Sequence, residues 1–400
     1  MRAITVSRND LMEAMKTVSM AINTRDTYCS NYYFEADSQL RVYAGDGSGL
    51  IIKRYVDAVI VNDNIDCITF SLQGGTLRHV LKLIPDETVK IICHHSQIEI
   101  IHDAGNILLP ISDSIGHEAF LKYLNEEDKD TEIRHTIEIP DMRKYLDKTC
   151  FCMAADDLRP VMNGVLFKWI GEKSGKDGVA SAKTKLHVVS SDGHRLALLE
   201  TNAYSDVPAH DVIIPSKTIN VLGRVLPKVG WLEIRWKKMG RRFSVINGNG
   251  DVVMEIETQV VDGRYPNYMG VLPASINLAV TVERKKLLAA VKRASFFTPA
   301  SGLIKMELVK GGDSISLSAQ DYDFAMSTNE TVPAEYGDLP ESPFRIGLKD
   351  ANIKSVLAHL SSEYVTIGIN DSRSGCTFSQ EDTVGGDTRL TYLLMPMMYD

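Results

Sequence analysis

Apolar and polar positions along the chain fall into a strand-then-helix pattern that returns at wide intervals. The stretch Ile4 to Ser19, ITVSRNDLMEAMKTVS, superposes without a gap on Val280 to Ser295, VTVERKKLLAAVKRAS, at an offset of 276 residues. A third copy, IEIPDMRKYLDKTCFCMA from Ile137 to Ala154, fits between them with a small gap. Each copy carries a second, shorter helix further on, at Gly75 to Pro85, Pro215 to Pro227 and Leu348 to Ser361. Their apolar residues stand three and four apart, the spacing of a helix with one buried face. Strand-like alternation follows each, and between the paired helices a strand ends in aspartate, at Asp46, Asp192 and Asp321. Self-similarity on this scale predicts an α+β chain of three repeats, each running helix, strands, helix, strands.

The repeats set the boundaries. A charged, weakly patterned stretch from Asn125 to His135 and a second joint from Gly270 to Leu278 divide the chain into 1–130, 131–274 and 275–400. A Gly/Ser/Lys-rich run from Gly171 to Lys185 reads as an enlarged hairpin loop, and another loop precedes the final strand near Ser379 to Arg389.

Charge then separates the helices from everything else. The six helical segments (7–19, 76–84, 140–149, 216–228, 283–293 and 349–360) hold 17 basic and six acidic residues, a net of +11, in a chain whose net charge is −8. Lysine and arginine are good helix formers and solvate exposed faces. Summed over six related helices, that excess predicts a positive face able to attract a polyanion, with an acidic remainder that repels it.

Composition narrows the rest. The hydrophobic fraction of 44% is ample for packed cores, and no apolar run reaches the roughly 18–20 residues of a membrane span. The N-terminus lacks a signal-peptide pattern, and the six cysteines form no CxxC pair, so a cytoplasmic chain with reduced thiols and no membrane association is expected. Cys93, His94 and His95 make a poor zinc set because adjacent strand residues point to opposite faces. No phosphate-binding loop, HExxH or GxSxG motif is present, so no catalytic residue, metal or cofactor is assigned. Asp46, Asp192 and Asp321 could be read as a metal-binding trio of a nucleic-acid enzyme. Aspartate at the tight turn ending a strand is the simpler reading.

Four strings are more specific: DLRPVMNGVLF (Asp157 to Phe167), SDGHRLAL (Ser191 to Leu198), DGRYPNY (Asp262 to Tyr268) and YLLMPMM (Tyr392 to Met398). In order and spacing, and in register with the three repeats, they resemble the bacterial beta sliding clamp, the processivity subunit of DNA polymerase III. That resemblance implies three clamp domains per subunit and a head-to-tail homodimeric ring around duplex DNA, bound without sequence specificity. It implies no enzymatic activity. Partners implied are the polymerase III alpha subunit, the clamp loader and other proteins carrying clamp-binding motifs. Their peptides would dock on Met162, Ser191, Gly193, His194, Arg195 and Leu196. Pro266, Val271, Leu393, Met395, Pro396 and Met397 complete that set, an adaptable apolar surface for Leu or Phe anchors.

DNA-facing positions implied by the match are Arg25, Arg78, Lys82, Arg143 and Lys148, then Lys217, Arg224, Lys228, Lys292 and Arg293. Subunit contacts would involve Ile107 and Leu109 on one side, Phe296 and Phe297 on the other. The chain departs from the pattern at Arg25 to Ala36, which lacks the usual apolar strand opening. It departs again at Met398, commonly basic in relatives, and at Tyr399 and Asp400, which prolong the tail. A specialised clamp paralogue, a metal-dependent nucleic-acid enzyme and a scaffold that does not bind DNA remain the alternative readings.

Overall fold

The structure, a computed structural model, describes residues 2–399 except 24, 26–27, 63–66, 113–133, 157, 172–183, 202–209, 238–239, 340–342 and 381–387. Most of the expected linker near Asn125, and the bulk of both expected loops, lie outside the described residues. The chain opens with β1 (Arg2–Ser7), α1 (Arg8–Val18), β2 (Asn31–Ala36), β3 (Leu40–Gly45), β4 (Ile51–Val56) and β5 (Ala58–Asn62). There follow β6 (Ile68–Gln73), α2 (Gly74–Leu83), β7 (Thr88–Cys93), β8 (Gln97–His102) and β9 (Gly105–Pro110). The middle of the chain holds β10 (Arg134–Glu138), α3 (Ile139–Thr149), β11 (Gly164–Gly171), β12 (Thr184–Ser191), β13 (Arg195–Thr201) and β14 (His210–Pro215). It continues through α4 (Ser216–Val225), β15 (Trp231–Lys237), β16 (Gly240–Ile246) and β17 (Val252–Gln259). Last come β18 (Leu278–Glu283), α5 (Arg284–Ala294), β19 (Leu303–Leu308), β20 (Ser314–Asp321), β21 (Met326–Tyr336) and β22 (Phe344–Lys349). The chain closes with α6 (Asp350–His359), β23 (Tyr364–Ile369), β24 (Cys376–Ser379) and β25 (Thr388–Leu394).

The repeat is visible at the level of single side chains. A shift of 276 residues carries α1 onto α5 and the 3-10 turn Ser19–Ala21 onto Ser295–Phe297. Buried Leu11, Ala14, Met15 and Val18 become buried Leu287, Ala290, Val291 and Ala294. The i, i+3, i+4, i+7 spacing puts those four on one stripe. Each large apolar side chain removed from water stabilises the fold by about 1.5–3 kcal/mol, so the stripe fixes which face of the helix turns inward.

Residues 1–143 with 220–260 form one compact unit, and residues 144–219 with 261–400 form another. The first holds a five-stranded sheet in the order β5-β1-β7-β8-β9 and an eight-stranded sheet, β10-β15-β16-β17-β4-β3-β2-β6. The second holds twelve strands in the order β14-β11-β12-β13-β25-β24-β23-β18-β21-β20-β19-β22. Compactness therefore follows sheet continuity instead of the repeat boundaries. In the first unit β4 pairs antiparallel with β17, from Ile51↔Glu257 to Arg54↔Met254. In the second, β13 pairs antiparallel with β25, from Arg195↔Leu394 to Thr201↔Thr388. Both joints have the same form: the strand after the aspartate turn of one repeat meets the last strand of the next. Each strand edge, which would otherwise leave a row of N–H and C=O groups unpaired, is covered by the neighbouring repeat.

Within each terminal repeat an arginine ties the two helices together. Arg8 Nε donates to Asp86 O at 3.0 Å and Nη1 to Leu81 O at 3.4 Å. Arg284, 276 residues on, donates from Nε to Ser362 O at 2.8 Å and from Nη1 to Leu357 O at 3.1 Å. A helix leaves its last carbonyls without backbone partners, and a cation there also complements the helix dipole. We predict that Arg284→Met lowers unfolding stability by about 2 kcal/mol, because charged hydrogen bonds to half-buried carbonyls are lost. Urea denaturation of both proteins checks this; an unchanged midpoint would show that water replaces the guanidinium at no cost.

Candidate functional site

The apolar candidate surface lies wholly within the second unit and is built on the β13–β25 joint. Its floor is a packed cluster of Leu166, Val189, Leu196, Leu198, Ile213, Tyr265, Tyr268 and Leu393, flanked by half-buried Val161, Val261 and Leu272. Tyr265 and Tyr268 bracket the flagged Pro266 and are missed by the sequence reading. The motif string marked their neighbourhood, but Pro266 itself is exposed while the tyrosines fill the floor. The segment that carries them is pinned by Val261 N donating to Ile213 O at 3.0 Å. Gly263, at φ +126°, makes the bend; a Cβ there would stand 2.9 Å from Val161 Cγ1. Val271 is exposed on the rim, and Met162 is nearly buried.

The hairpin between β12 and β13 presents the polar members. Asp192 Oδ1 accepts from the backbone N–H of His194 and of Arg195, both at 2.9 Å, and Gly193 supplies the left-handed φ of +88°. Ser191 Oγ donates to Arg195 O at 2.9 Å and accepts from Gly193 N at 3.1 Å. The turn leaves His194 exposed, while Arg195 is held on several sides. Its Nε donates to Asp192 Oδ2 at 2.9 Å, its Nη1 to Ser355 Oγ at 3.0 Å, and its guanidinium lies 5.6 Å from the Phe151 ring centre. Arg195 thus links the hairpin to α6 and keeps only part of its donor set for a ligand.

After β25 the chain docks on the same hairpin, Met395 N donating to His194 O at 2.8 Å. Leu393 is buried in the floor, and Met395 is exposed above Gly375. Pro396 and Met397 lead away toward β22, where Met397 N donates to Gly347 O at 2.8 Å. The structure brings Met162, Ser191, Gly193, His194, Arg195, Leu196, Leu393 and Met395 together, with Pro266 and Val271 exposed on the segment that carries the floor tyrosines.

The three strand-end aspartates all do the same local work. Asp46 Oδ1 accepts from Ser48 N and Leu50 N at 2.8 and 2.9 Å. Asp321 Oδ1 accepts from Asp323 N and Phe324 N at 2.9 and 3.2 Å, as Asp192 does in its own hairpin. Each carboxylate is occupied by its turn, the reading preferred from sequence. Among the described residues no group of three or more His, Cys, Asp or Glu is placed to hold a metal.

The basic set divides by environment. Lys82, Lys217, Arg224, Lys228 and Lys292 are exposed. Arg25 and Arg78 line a cavity of about 620 Å³ in the first unit with Ser19, Ser30, Tyr32 and Gln73, and among the described residues no acidic one lines it. Burial pushes the Tyr32 phenol up, and the Arg78 charge and hydrogen bond oppose that shift. Arg293 makes a two-pronged ion pair with Glu330, at 2.9 and 2.6 Å. Two flagged cations have structural partners instead of open faces. Arg143 donates to Leu226 O at 2.9 Å, and the half-buried Lys148 donates to His359 O. Burial, with Arg284 nearby, lowers the Lys148 pKa from its ordinary value.

At the expected subunit contacts, alternation along β9 turns Leu109 inward, 8% exposed, and half-buries Ile107, while the side chain between them, Leu108, is 53% exposed. Leu108 is therefore the outward apolar residue of this strand. Phe296 is 79% exposed, and Phe297 packs edge-to-face against it with centroids 5.9 Å apart.

Residues 136–267 match the family model described as DNA polymerase III beta subunit, central domain. The chain is 27% identical over 257 residues to the beta sliding clamp of Synechococcus elongatus, an alignment covering 62% of this chain and 61% of that protein. It is 22% identical over 406 residues to the beta sliding clamp of Vibrio cholerae, covering 98% and 99%. It shares the fold of the DNA polymerase III beta chain of Streptococcus pneumoniae, with a TM-score of 0.84 at 19% identity over 100% of both chains.

One buried titratable group supports the floor. His187 Nδ1 is hydrogen-bonded to the Tyr268 hydroxyl at 2.9 Å, and burial lowers the imidazole pKa, opposed by Glu200. The unfolded chain takes up this proton near pH ~6.5 while the folded chain resists it. Stability is therefore complete above that pH and falls as pH drops below it. We predict that moving from pH 7.5 to 5.5 lowers the urea midpoint more for the wild type than for His187→Gln. Equal losses would mean that His187 makes no contribution.

Proposed function

The chain belongs to the DNA polymerase III beta-subunit family, and on that premise we propose that it is a sliding clamp, a non-catalytic processivity factor that encircles duplex DNA as a head-to-tail homodimer. Residues 1–130, 131–274 and 275–400 are its three clamp domains. The observation that carries this reading is a joint that is filled twice and left open once. β4 takes β17, and β13 takes β25. In the last repeat the strand at the same place is β21. It pairs with β20 along Met326–Pro333, while among the described residues its other edge meets only β18, and only at Ala334 to Tyr336. The matching half is β9, the last strand of the first repeat, which among the described residues pairs only with β8. One chain thus carries both complementary edges of a third joint, and a second copy supplies the missing contact in each direction. Phe296 sits on the turn that packs against β20 and β21, and Leu108 projects from β9, so both exposed apolar side chains belong to these edges.

The basic helices then act on DNA through its phosphates. Lys82, Lys217, Arg224, Lys228 and Lys292, with Arg25 and Arg78 at the cavity of the first repeat, offer diffuse attraction without base readout, which holds the duplex yet lets it slide. Arg293 contributes less because Glu330 already pairs with it. Arg143 and Lys148 act through the scaffold. The apolar surface at the β13–β25 joint captures short peptides of the polymerase III alpha subunit, the clamp loader and other clamp-binding proteins through Leu or Phe anchors. Six free thiols suit a reduced cytoplasm, and no described helix is long and apolar enough to cross a membrane.

Loaded protein is expected to stay on nicked circular DNA and to run off once the circle is linearised, read by gel filtration of labelled protein. Equal retention on both forms would refute encirclement. Leu108→Asp is expected to shift the protein toward the 44.4 kDa monomer and to abolish retention on the circle. Charge reversal at Lys82, Arg224, Lys228 and Lys292 lowers loading while the dimer persists.

Met395→Ala combined with Arg195→Ala is expected to weaken binding of a Leu/Phe-anchored peptide about tenfold or more, as removal of a central contact does, with the dimer intact. Unchanged affinity in a fluorescence titration would reject this surface as the peptide site.

A further inference from the structure

We infer that Tyr399 is a latch that holds the C-terminal wall of the peptide surface in place, an inference that rests on the peptide-binding reading above. Beyond β25 the chain has left the sheet, yet its backbone is tied at two points, Met395 to the His194 carbonyl and Met397 to the Gly347 carbonyl. The side chain that follows explains why the second tie is formed. The Tyr399 ring lies against the backbone of β22 at Gly347. A Cβ at that position would come within 2.6 Å of the ring's Cδ1 and 2.8 Å of its Cε1, so only glycine leaves room for it. The register partner of Gly347 on β19 is Lys305, whose ammonium lies 4.6 Å from the ring centre. Two residues along on the same face, the register pair Glu307 and Arg345 forms an ion pair at 2.5 Å, and both charges are felt by the phenol. Two successive cross-strand pairs thus build a seat for one aromatic ring: a bare backbone position, a cation over the ring face and a dipole of fixed charges beside it.

The consequence is local order. Met395 and Pro396 lie between two anchors, one on the hairpin that carries His194 and one on β22. An incoming peptide therefore meets a wall already in position and does not have to order it on binding. Releasing the second anchor lets the tail sample other conformations and raises that ordering cost.

The test uses the full chain with hydrogen exchange at the Met397 amide and fluorescence anisotropy of a labelled Leu/Phe-anchored peptide. Tyr399→Ala is expected to speed Met397 exchange about tenfold and to weaken the peptide about three- to tenfold, within what one cation–π contact plus ring packing supplies. Tyr399→Phe keeps the ring and should match the wild type in both readouts, and Lys305→Met should fall between. Unchanged Met397 exchange in Tyr399→Ala overturns the latch. Faster exchange with unchanged peptide affinity overturns its role as a wall. A wild-type protein that binds no peptide defeats the peptide-site reading instead, and the exchange measurement still decides the latch.

Discussion

A β-strand at the edge of a sheet exposes a row of backbone donors and acceptors that must find partners, and the architecture of this chain follows from how that requirement is met. The repeats meet it by lending one another their edges: β17 covers β4, and β25 covers β13. Because the same pairing is used each time, the last repeat is left with an edge on β21 that no described strand covers beyond its short contact with β18, and β9, the last strand of the first repeat, carries the counterpart. The helices are placed by these same strands. α1 packs on β3 and β4, and α5 on β20 and β21, so each of these helices is anchored beside a strand, β4 or β21, that stands at the joint position of its repeat. The pairing of the repeats and the placing of these helices are therefore consequences of one constraint on backbone hydrogen bonding.

The cations divide their work in a way that net charge conceals. Arg8, Arg143 and Arg284 cap carbonyls at or just beyond the end of a second helix, and Lys148 caps the last residue of α6, which positions helices without offering charge to a ligand. The exposed remainder supplies long-range attraction that salt screens and that needs no defined geometry. Such attraction is weak for each contact, which suits the proposed clamp, where topology would set residence on DNA. The proposed peptide surface is built in the opposite way: few residues, closely packed, with Arg195 and the segment after β25 held by contacts within the chain.

One turn design serves three ends. Asp46, Asp192 and Asp321 each fold a strand-end hairpin through the same carboxylate-to-backbone bonds. The tips differ. Gly49 of the first tip packs on Gln259, Gly193 and His194 open toward the proposed peptide surface, and Tyr322 and Phe324 project into solvent. A shared scaffold with variable tips lets equivalent positions in the repeats diverge without disturbing the sheets.

The sequence by itself determined the repeat, the helices and their inward stripes. Leu11, Ala14, Met15 and Val18 match Leu287, Ala290, Val291 and Ala294 because helical periodicity is a local property written into residue spacing. It also marked the motif strings that the fold gathers at the β13–β25 joint, down to Met162, Arg195 and Met395, the surface proposed to take peptides. What it left to tertiary structure is whatever depends on which distant groups meet. The engagement of Arg143, Lys148 and Arg293, the outward turn of Leu108 in place of Ile107 and Leu109, and the floor role of Tyr265 and Tyr268 all depend on partners far along the chain. So does the seat of Tyr399 on Gly347 and Lys305. A side chain's type is fixed by sequence, but whether it faces solvent, a carbonyl or a carboxylate is fixed only when the sheets bring remote strands into register.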